Sequence, residues 1–214
     1  RVIAGPERRS RLISDHEKRV IAYHEAGHAI VQHLLEYTDP VHKVSIVSRG
    51  MMGGYTMTLP EDDRLLYSKR KFEDELAAML GGRVSEQIVF GDVTTGASND
   101  LQRATKIARS MVTEYGMSEA LGQRTFGQKD ELIFLGREIA EQRDYSEEVA
   151  TQIDREIKII IDRAYDRARE VIANHRDKLD RVAELLMEKE TIDRTDLANI
   201  VDGAPKAEAE SVVA

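Results

Sequence analysis

The feature that most constrains the fold of this chain is the helical spacing of its apolar residues, which recurs along most of its length. The spacing is clearest after Ser146, where one apolar face continues to about His175. This face is formed by Val149, Ile153, Ile157, Ile160, Ile161, Ala164, Ala168 and Ile172. Residues three or four apart are buried together only when one side of a helix lies against a partner. The sequence therefore predicts an assembly of packed helices.

Shorter segments with the same spacing predict further helices. Ser14 and Glu17 form a capping-box signature, and Asp39-Pro40 is expected to end the helix that they begin, over 15–36. The other predicted helices cover 71–89, 99–115, 179–190 and 195–201. The helix over 99–115 would have Ser98 or Asn99 as its N-cap and Gly116 in the C′ position.

Two adjacent glycines, Gly81 and Gly82, interrupt the helix predicted over 71–89. Glycine costs about 1 kcal/mol relative to alanine inside a helix, because it loses more backbone freedom on folding. The close approach of another helix would explain both glycines.

Between the first two helices, the apolar spacing changes to that of strands. Val44, Ile46 and Val47 lie among polar residues, and after a glycine-rich turn Tyr55 to Leu59 alternates with threonines. This pattern predicts two short strands. The predicted fold class is mainly α, with a small β hairpin or sheet and a C-terminal half that resembles a helical bundle.

Composition excludes several classes of site and partner. The 214 residues include no cysteine, so a metal site must use histidine and carboxylate ligands, and a thiol nucleophile is excluded. The net charge of -8 repels phosphate backbones, so we expect no nucleic-acid partner. No apolar run approaches the ~18 residues of a membrane span, and we expect this piece to be soluble.

The segment His24-Glu25-Ala26-Gly27-His28, an H-E-x-x-H motif, lies inside the first predicted helix. Four residues turn a helix by about 40° and advance it by about 6 Å, so both imidazoles can bind one ion. Glu25 is about 100° from His24 and about 60° from His28 around the helix axis. It can therefore reach a water activated by the metal more easily than the metal, which is where a general base is needed.

A catalytic zinc ion also needs a third protein ligand and an open position. Leu34 occupies the position at which a longer version of the motif carries a third histidine, so the candidates are two carboxylates. Asp100 begins a predicted helix, where it could simply interact with the helix N-terminus, and Glu86 could belong to a solvated face. Spacing alone does not choose between them.

Several further motifs follow in order along the chain. They are Asp39-Pro40-Val41-His42-Lys43-Val44, Gly81-Gly82-Arg83, Thr95-Gly96-Ala97-Ser98-Asn99-Asp100, Phe134-Leu135-Gly136-Arg137 and Glu190-Thr191-Ile192-Asp193. With H-E-x-x-H, they make the sequence from Arg1 to about Asp202 resemble the protease domain of the FtsH family. The members of that family are membrane-anchored, ATP-dependent zinc metalloproteases of bacteria, mitochondria and chloroplasts.

The resemblance implies a role for each matching residue. The zinc ligands would be His24, His28 and Asp100, Glu25 would be the catalytic base, and Glu86 would support the site or the structure. It also implies one Zn²⁺ per chain, a homo-hexamer, and substrates that are unfolded or membrane-extracted proteins, degraded in protein quality control.

Two traits of the family have no counterpart in this sequence. It contains no G-x-x-x-x-G-K-[ST] phosphate loop and no apolar segment that would span a membrane. We therefore expect ATP binding and membrane anchoring to belong to N-terminal regions outside the sequence, with this domain on the cytoplasmic, matrix or stromal side. The expected organisation is a linker from an ATPase module over 1–12, a zinc metallopeptidase domain over 13–202 and a disordered tail over 203–214.

The second predicted strand is a candidate for binding substrate. If Gly53, Gly54, Tyr55 and Thr56 form an exposed edge beside the zinc, an extended peptide could add to it as a further strand. An ordinary buried hairpin strand is the alternative.

There are two alternatives to the function of a zinc endopeptidase domain. A non-catalytic assembly module would tolerate the loss of Glu25, but the intact motif argues against it. A free-standing metallopeptidase would not be expected to begin within a linker at Arg1.

Overall fold

Six helices and three short strands form the described part of the chain, which comprises residues 14–48, 53–60, 65–127 and 144–203 of a computed structural model. In chain order they are α1 (Asp15–Leu34), β1 (Val41–Ser45), β2 (Tyr55–Thr58), α2 (Lys69–Phe90), a 3₁₀ turn (Thr95–Ala97), α3 (Ser98–Thr113), α4 (Glu147–Asn174), α5 (Arg176–Lys189), β3 (Thr191–Asp193) and α6 (Arg194–Val201). The predicted mainly α class with a small β element is confirmed. The linker over 1–12, the motif at 134–137 and the tail from 204 onward lie outside the described residues.

Helix α1 begins with the capping box that the sequence predicts. The Ser14 side chain accepts a hydrogen bond from the Glu17 backbone N–H, and the Glu17 carboxylate accepts one from the Ser14 N–H. The helix ends at Leu34, before the predicted Glu36, because Leu35 is already extended. The Thr38 hydroxyl donates to the Leu35 carbonyl at 2.8 Å, so a side chain serves one of the carbonyls that the helix leaves unpaired.

Helices α1 and α2 cross where Gly27 of α1 meets Gly81 of α2. A Cβ atom on Gly81 would lie 2.6 Å from the carbonyl oxygen of Gly27, and one on Gly27 would collide with the carbonyl oxygen of Gly81. The Ser85 hydroxyl donates to the Tyr23 carbonyl across the same interface at 2.7 Å. The prediction that another helix approaches the paired glycines closely is confirmed, since no side chain fits between the two backbones at Gly81.

The C-terminal helices pack onto the N-terminal ones more than onto one another. Helix α4 lies against α2 and α3, and α5 lies against α1, so the C-terminal bundle is continuous with the rest of the fold. Burial on α4 follows the predicted face, with Ile153, Ile157, Ala164, Ala168 and Ile172 inside. Among the helices of the described ranges, none has both the length and the apolar character that crossing a membrane requires.

A buried carboxylate fastens α2 to two neighbours. Asp74 on α2 is 1% exposed, accepts a hydrogen bond from the Tyr37 backbone N–H at 3.1 Å and forms an ion pair with the Arg167 guanidinium of α4 at 2.8 Å. The partners matter because an isolated buried charge would be costly. The contact holds α2 against both α4 and the segment that leads from α1 to β1.

The three strands form an antiparallel sheet with the order β2-β1-β3, so β2 is an edge strand. The two predicted strands correspond to β1 and β2, whereas β3 has no counterpart among the predicted elements. Three residues are too few to show the alternation of a strand, and Ile192 has no apolar neighbour in sequence at a spacing of two. Glu190 precedes β3 with a φ of 61° and turns the chain out of α5.

The start of α3 differs from the prediction. Neither Ser98 nor Asn99 caps this helix, because the preceding residues form a 3₁₀ turn that runs directly into it. Thr94 caps that turn instead, accepting a hydrogen bond from the Gly96 N–H at 3.1 Å.

Helix α3 ends at Thr113, before the predicted Tyr115, so Gly116 lies two residues beyond the C-cap Glu114 and not directly after it. Its φ of 60° still turns the chain out of the helix, and the Met117 N–H bonds to the Met111 carbonyl at 2.9 Å.

The glycine crossing predicts opposite outcomes for neighbouring substitutions. Alanine at position 81 gains about 1 kcal/mol of helix propensity, but its methyl group meets backbone atoms that cannot rotate away. We expect Gly81→Ala to lower the free energy of unfolding by about 1–3 kcal/mol, the usual range for overpacking. Urea denaturation of the metal-free protein measures this change.

Gly82→Ala is the matched control for this measurement. It is the same substitution on the same helix, but its methyl group would meet imidazole rings that can move. We expect a smaller loss of stability than for Gly81→Ala. Equal stability of the wild type and Gly81→Ala would show that the two backbones are not in close contact.

Candidate metal centre

Side chains from two helices converge on one point of the fold. The Nε2 atoms of His24 and His28 on α1 lie 3.0 Å apart, and the Asp100 Oδ2 atom of α3 lies 3.5 Å from the first and 3.3 Å from the second. Within the described ranges, these residues form the one group of three histidines or carboxylates whose ligand atoms all lie within 4.8 Å of one another. The sequence candidates His24, His28 and Asp100 are therefore brought together.

The spacing of the three atoms suits a tetrahedral zinc ion. Zinc binds nitrogen and oxygen ligands at about 2.0–2.1 Å, so two ligands of a tetrahedral site are separated by roughly 3.3 Å. The separations of 3.0, 3.3 and 3.5 Å lie around this value. Three protein ligands are also the number found in catalytic zinc sites, which keep the fourth position open.

The hydrogen bonds behind the histidines fix which nitrogen of each ring is free to bind a cation. The Nδ1 atom of His24 lies 2.6 Å from the Glu86 carboxylate, and that of His28 lies 2.8 Å from the Ala78 carbonyl. A carbonyl and an ionised carboxylate only accept hydrogen bonds, so both Nδ1 atoms carry a proton. Both Nε2 atoms then face Asp100 and are the ring positions left for a cation. Without metal, a proton on the His24 Nε2 is shared with the Asp100 carboxylate, and a bound cation would take the place of that proton.

The electrostatics of the cluster agree with this assignment. Burial opposes the charged form of His24, but hydrogen bonds with Asp100 and Glu86 outweigh it and raise the pKa of His24 to about 10. Burial likewise opposes ionisation of Asp100, but its hydrogen bonds with His24 and His28 lower the pKa of Asp100. The negative charge that attracts a proton to this cluster also attracts a divalent cation.

Gly82 keeps space open in front of the two imidazoles. A Cβ atom at this position would lie 2.6 Å from the Nε2 atoms of both His24 and His28. Any side chain would thus enter the space that the two ligand atoms share. The paired glycines have separate roles. Gly81 lets the backbone of α1 pack closely against α2, and Gly82 leaves space beside the Nε2 atoms of His24 and His28.

The sequence left open that Glu86 belongs to a solvated helix face, but the side chain is buried. It is 1% exposed and lies behind His24, and its second oxygen accepts a hydrogen bond from the Thr94 N–H at 2.6 Å. Burial opposes its ionisation, but the hydrogen bonds from His24 and Thr94 lower the pKa of Glu86. It faces the Nδ1 side of the ring, so it fixes the orientation of the His24 imidazole.

Glu25 lies beside the three-residue cluster and has a different partner. Its carboxylate is buried and accepts a hydrogen bond from the Thr56 hydroxyl of β2 at 2.9 Å. Burial raises the pKa of Glu25, although the nearby charges of His28 and His24 oppose this. A buried carboxylate with a raised pKa, next to a cation site, can accept and return a proton.

Two of the four residues proposed to bind substrate border Glu25. Thr56 contacts its carboxylate directly, and a Cβ atom on Gly54 would lie 2.8 Å from its Oε1 atom. Gly53 lies against Ile21 of α1, and Tyr55 pairs with Ser45 on β1. The edge strand β2 therefore begins next to the carboxylate.

Sequence reasoning missed two of the side chains that support the site. Thr56 is a sequence candidate only for substrate binding, although its hydroxyl binds Glu25, and Thr94 is not among the sequence candidates, although it binds Glu86. A signal for Thr94 existed, because threonine two residues before a glycine suits a turn closed by the hydroxyl. No signal existed for Thr56, whose partner is distant in sequence.

Comparison with known proteins agrees with this geometry. The family model described as "Peptidase family M41" matches residues 11–200. The chain is 60% identical over 202 residues to "ATP-dependent zinc metalloprotease FtsH 1" of Sphaerobacter thermophilus, 57% identical over 202 residues to the protein of the same name of Thermomicrobium roseum, and 53% identical over 202 residues to "ATP-dependent zinc metalloprotease FtsH" of Thermotoga maritima.

These alignments cover 94% of this chain in all three cases, but only 31%, 31% and 33% of the relatives. The chain thus spans about a third of the length of the curated relatives that it matches. The family model, in contrast, matches nearly the whole chain and includes the histidine pair, Glu25 and Asp100. This chain belongs to peptidase family M41.

Proposed function

We propose that this chain is a zinc-dependent endopeptidase domain that hydrolyses peptide bonds in unfolded polypeptides. The observation that supports this most directly is the convergence of His24, His28 and Asp100, with separations that suit one zinc ion, beside a buried glutamate. One Zn²⁺ per chain is the stoichiometry that a single such cluster supports. The names of the relatives, which describe zinc metalloproteases, agree with it.

Each residue has a distinct role in this proposal. Zinc, when bound, supplies Lewis acidity and lowers the pKa of a coordinated water towards ~7. His24, His28 and Asp100 hold the ion, and Glu86 fixes the ring of His24. The Glu25 carboxylate takes the proton of the attacking water and delivers it to the leaving amine. Its hydrogen bond from Thr56 aims the carboxylate and leaves one oxygen for the proton.

The edge strand β2 supplies a binding surface for the substrate in this proposal. Its residues are exposed or half-buried, and in the part of the chain that the structure describes, β1 pairs with one of its sides and no strand pairs with the other. An extended peptide that adds to the other side would pass beside Glu25 and bind mainly through its backbone. Backbone recognition places little demand on sequence, as the degradation of many different unfolded proteins requires.

The remaining proposals concern the whole protein. The relatives are three times longer than this chain and are named ATP-dependent. We propose that the intact protein couples this domain to an ATPase module in a membrane-anchored homo-hexamer, which unfolds or extracts proteins for quality control. The peptidase domain would then lie on the cytoplasmic, matrix or stromal side.

Replacing the proposed base tests its role separately from metal binding. Glu25→Gln keeps the shape and the acceptor for Thr56 but removes the basic carboxylate. We expect kcat for an unstructured peptide to fall by about 10²–10⁴, while zinc analysis still gives one ion per chain. Glu36→Gln, an exposed change just after α1, should leave both unchanged. Loss of zinc from Glu25→Gln would show that Glu25 is a ligand.

Two carboxylate substitutions separate a ligand from its support. We expect Asp100→Asn to weaken zinc binding more than Glu86→Gln, because only Asp100 faces the Nε2 atoms. Loss of an orienting partner typically costs 10- to 100-fold in metal affinity, so Glu86→Gln should lie in that range. Competition with a chromophoric chelator measures both affinities. Asp92→Asn, an exposed change between α2 and α3, is the control. The reverse ranking would contradict the assignment.

Chemical changes in the substrate test the edge strand without altering the protein. The test uses a series of peptides, each with one N-methylated amide. In a bound strand, every second residue directs its N–H towards β2, and methylation there removes a hydrogen bond. We therefore expect KM to rise at alternate positions and kcat to change less. The unmethylated peptide is the reference. A rise in KM without alternation would contradict strand addition.

A further inference from the structure

The two halves of the metal site lie on α1 and α3, and both of these helices pack against α2. The histidine pair lies on α1 and Asp100 lies in the first turn of α3, whereas α3 packs chiefly against α2 and α4. Packing against α1 therefore does little to set the distance between the carboxylate and the imidazoles. A separate link between the two halves is required, because zinc tolerates little variation in ligand distance.

Glu86 and Thr94 provide such a link. The Glu86 Oε1 atom binds the His24 ring at 2.6 Å and accepts a hydrogen bond from the Thr94 hydroxyl at 3.2 Å. Its Oε2 atom accepts one from the Thr94 N–H at 2.6 Å. One carboxylate of α2 thus holds a ligand of α1 on one side and the segment before α3 on the other.

The Thr94 hydroxyl continues this link towards Asp100. It accepts a hydrogen bond from the Gly96 N–H at 3.1 Å and closes the 3₁₀ turn that runs without a break into α3. Helix α3 has no side-chain cap of its own at Ala97. The hydroxyl therefore fixes the start of the helix whose first turn carries Asp100.

We infer that Thr94 is a positioning residue of the metal centre, which acts through Glu86 to set Asp100 against His24 and His28. This inference rests on the proposed zinc peptidase function. It assigns to the hydroxyl a task beyond capping: the same atom joins the carboxylate behind one ligand to the turn before another. The side chain of Thr94 is exposed, so the fold does not depend on its burial.

The experiment compares zinc affinity with the stability of the metal-free protein. Thr94→Val keeps the branched shape and removes the hydroxyl, and we expect zinc affinity to fall about tenfold or more. The urea midpoint of the metal-free form should fall only as far as the loss of one cap hydrogen bond lowers it. Thr94→Ser restores the hydroxyl and should restore the affinity. Thr105→Val on α3 is the matched control, because its hydroxyl binds only the Leu101 carbonyl of the same helix.

A double-mutant cycle tests whether Thr94 acts through Glu86. If it does, Thr94→Val should weaken zinc binding little further once Glu86→Gln is present. Independent, additive effects would overturn the inference, as would wild-type affinity in Thr94→Val or a failure of Thr94→Ser to restore it. A wild-type protein that binds no zinc would instead refute the proposed function, so the two failures are distinguishable.

Discussion

The close contact between α1 and α2 is the constraint on which the rest of the structure depends. At Gly27 and Gly81 the two backbones touch, and one residue further along α2 the same approach leaves Gly82 facing the histidine pair. A larger separation would allow side chains at these positions, but Glu86 would then no longer reach His24. The distance between two helix axes therefore determines both the packing of the core and the shape of the metal site.

Buried charges around this contact have partners on other elements, which is why they are tolerated. Glu86 joins α2 to α1 and to the turn before α3, and Asp74 joins α2 to Arg167 on α4. Both carboxylates are almost fully buried. Helix α2 thus contributes packing surface to α1, α3 and α4 together with two buried carboxylates, and each carboxylate orients a group that another element supplies.

Much of the fold follows from local sequence, but the contacts between its parts do not. The capping box at Ser14 and the glycine at 116 were predicted, because each acts within a few residues. Strand β3 was not, since its three residues form a strand only by pairing with β1. The same holds for the site: the histidine pair is readable from helix geometry, whereas Asp100 was chosen over Glu86 only through resemblance. The burial of Glu86 is likewise not readable from its spacing, because its partners lie on other elements.

The order β2-β1-β3 also bears on how the chain can assemble. Strand β1 is central only because a strand from the far end of the sequence covers its second side, where Val44 pairs with Ile192. Such distant pairing forms slowly, since a long loop must close first. Until β3 arrives, β1 has an unpaired row of backbone N–H and C=O groups, which is the kind of edge that recruits other chains. Pairing with β3 closes this edge, so it is available to other chains only until the C-terminal part of the fold has formed.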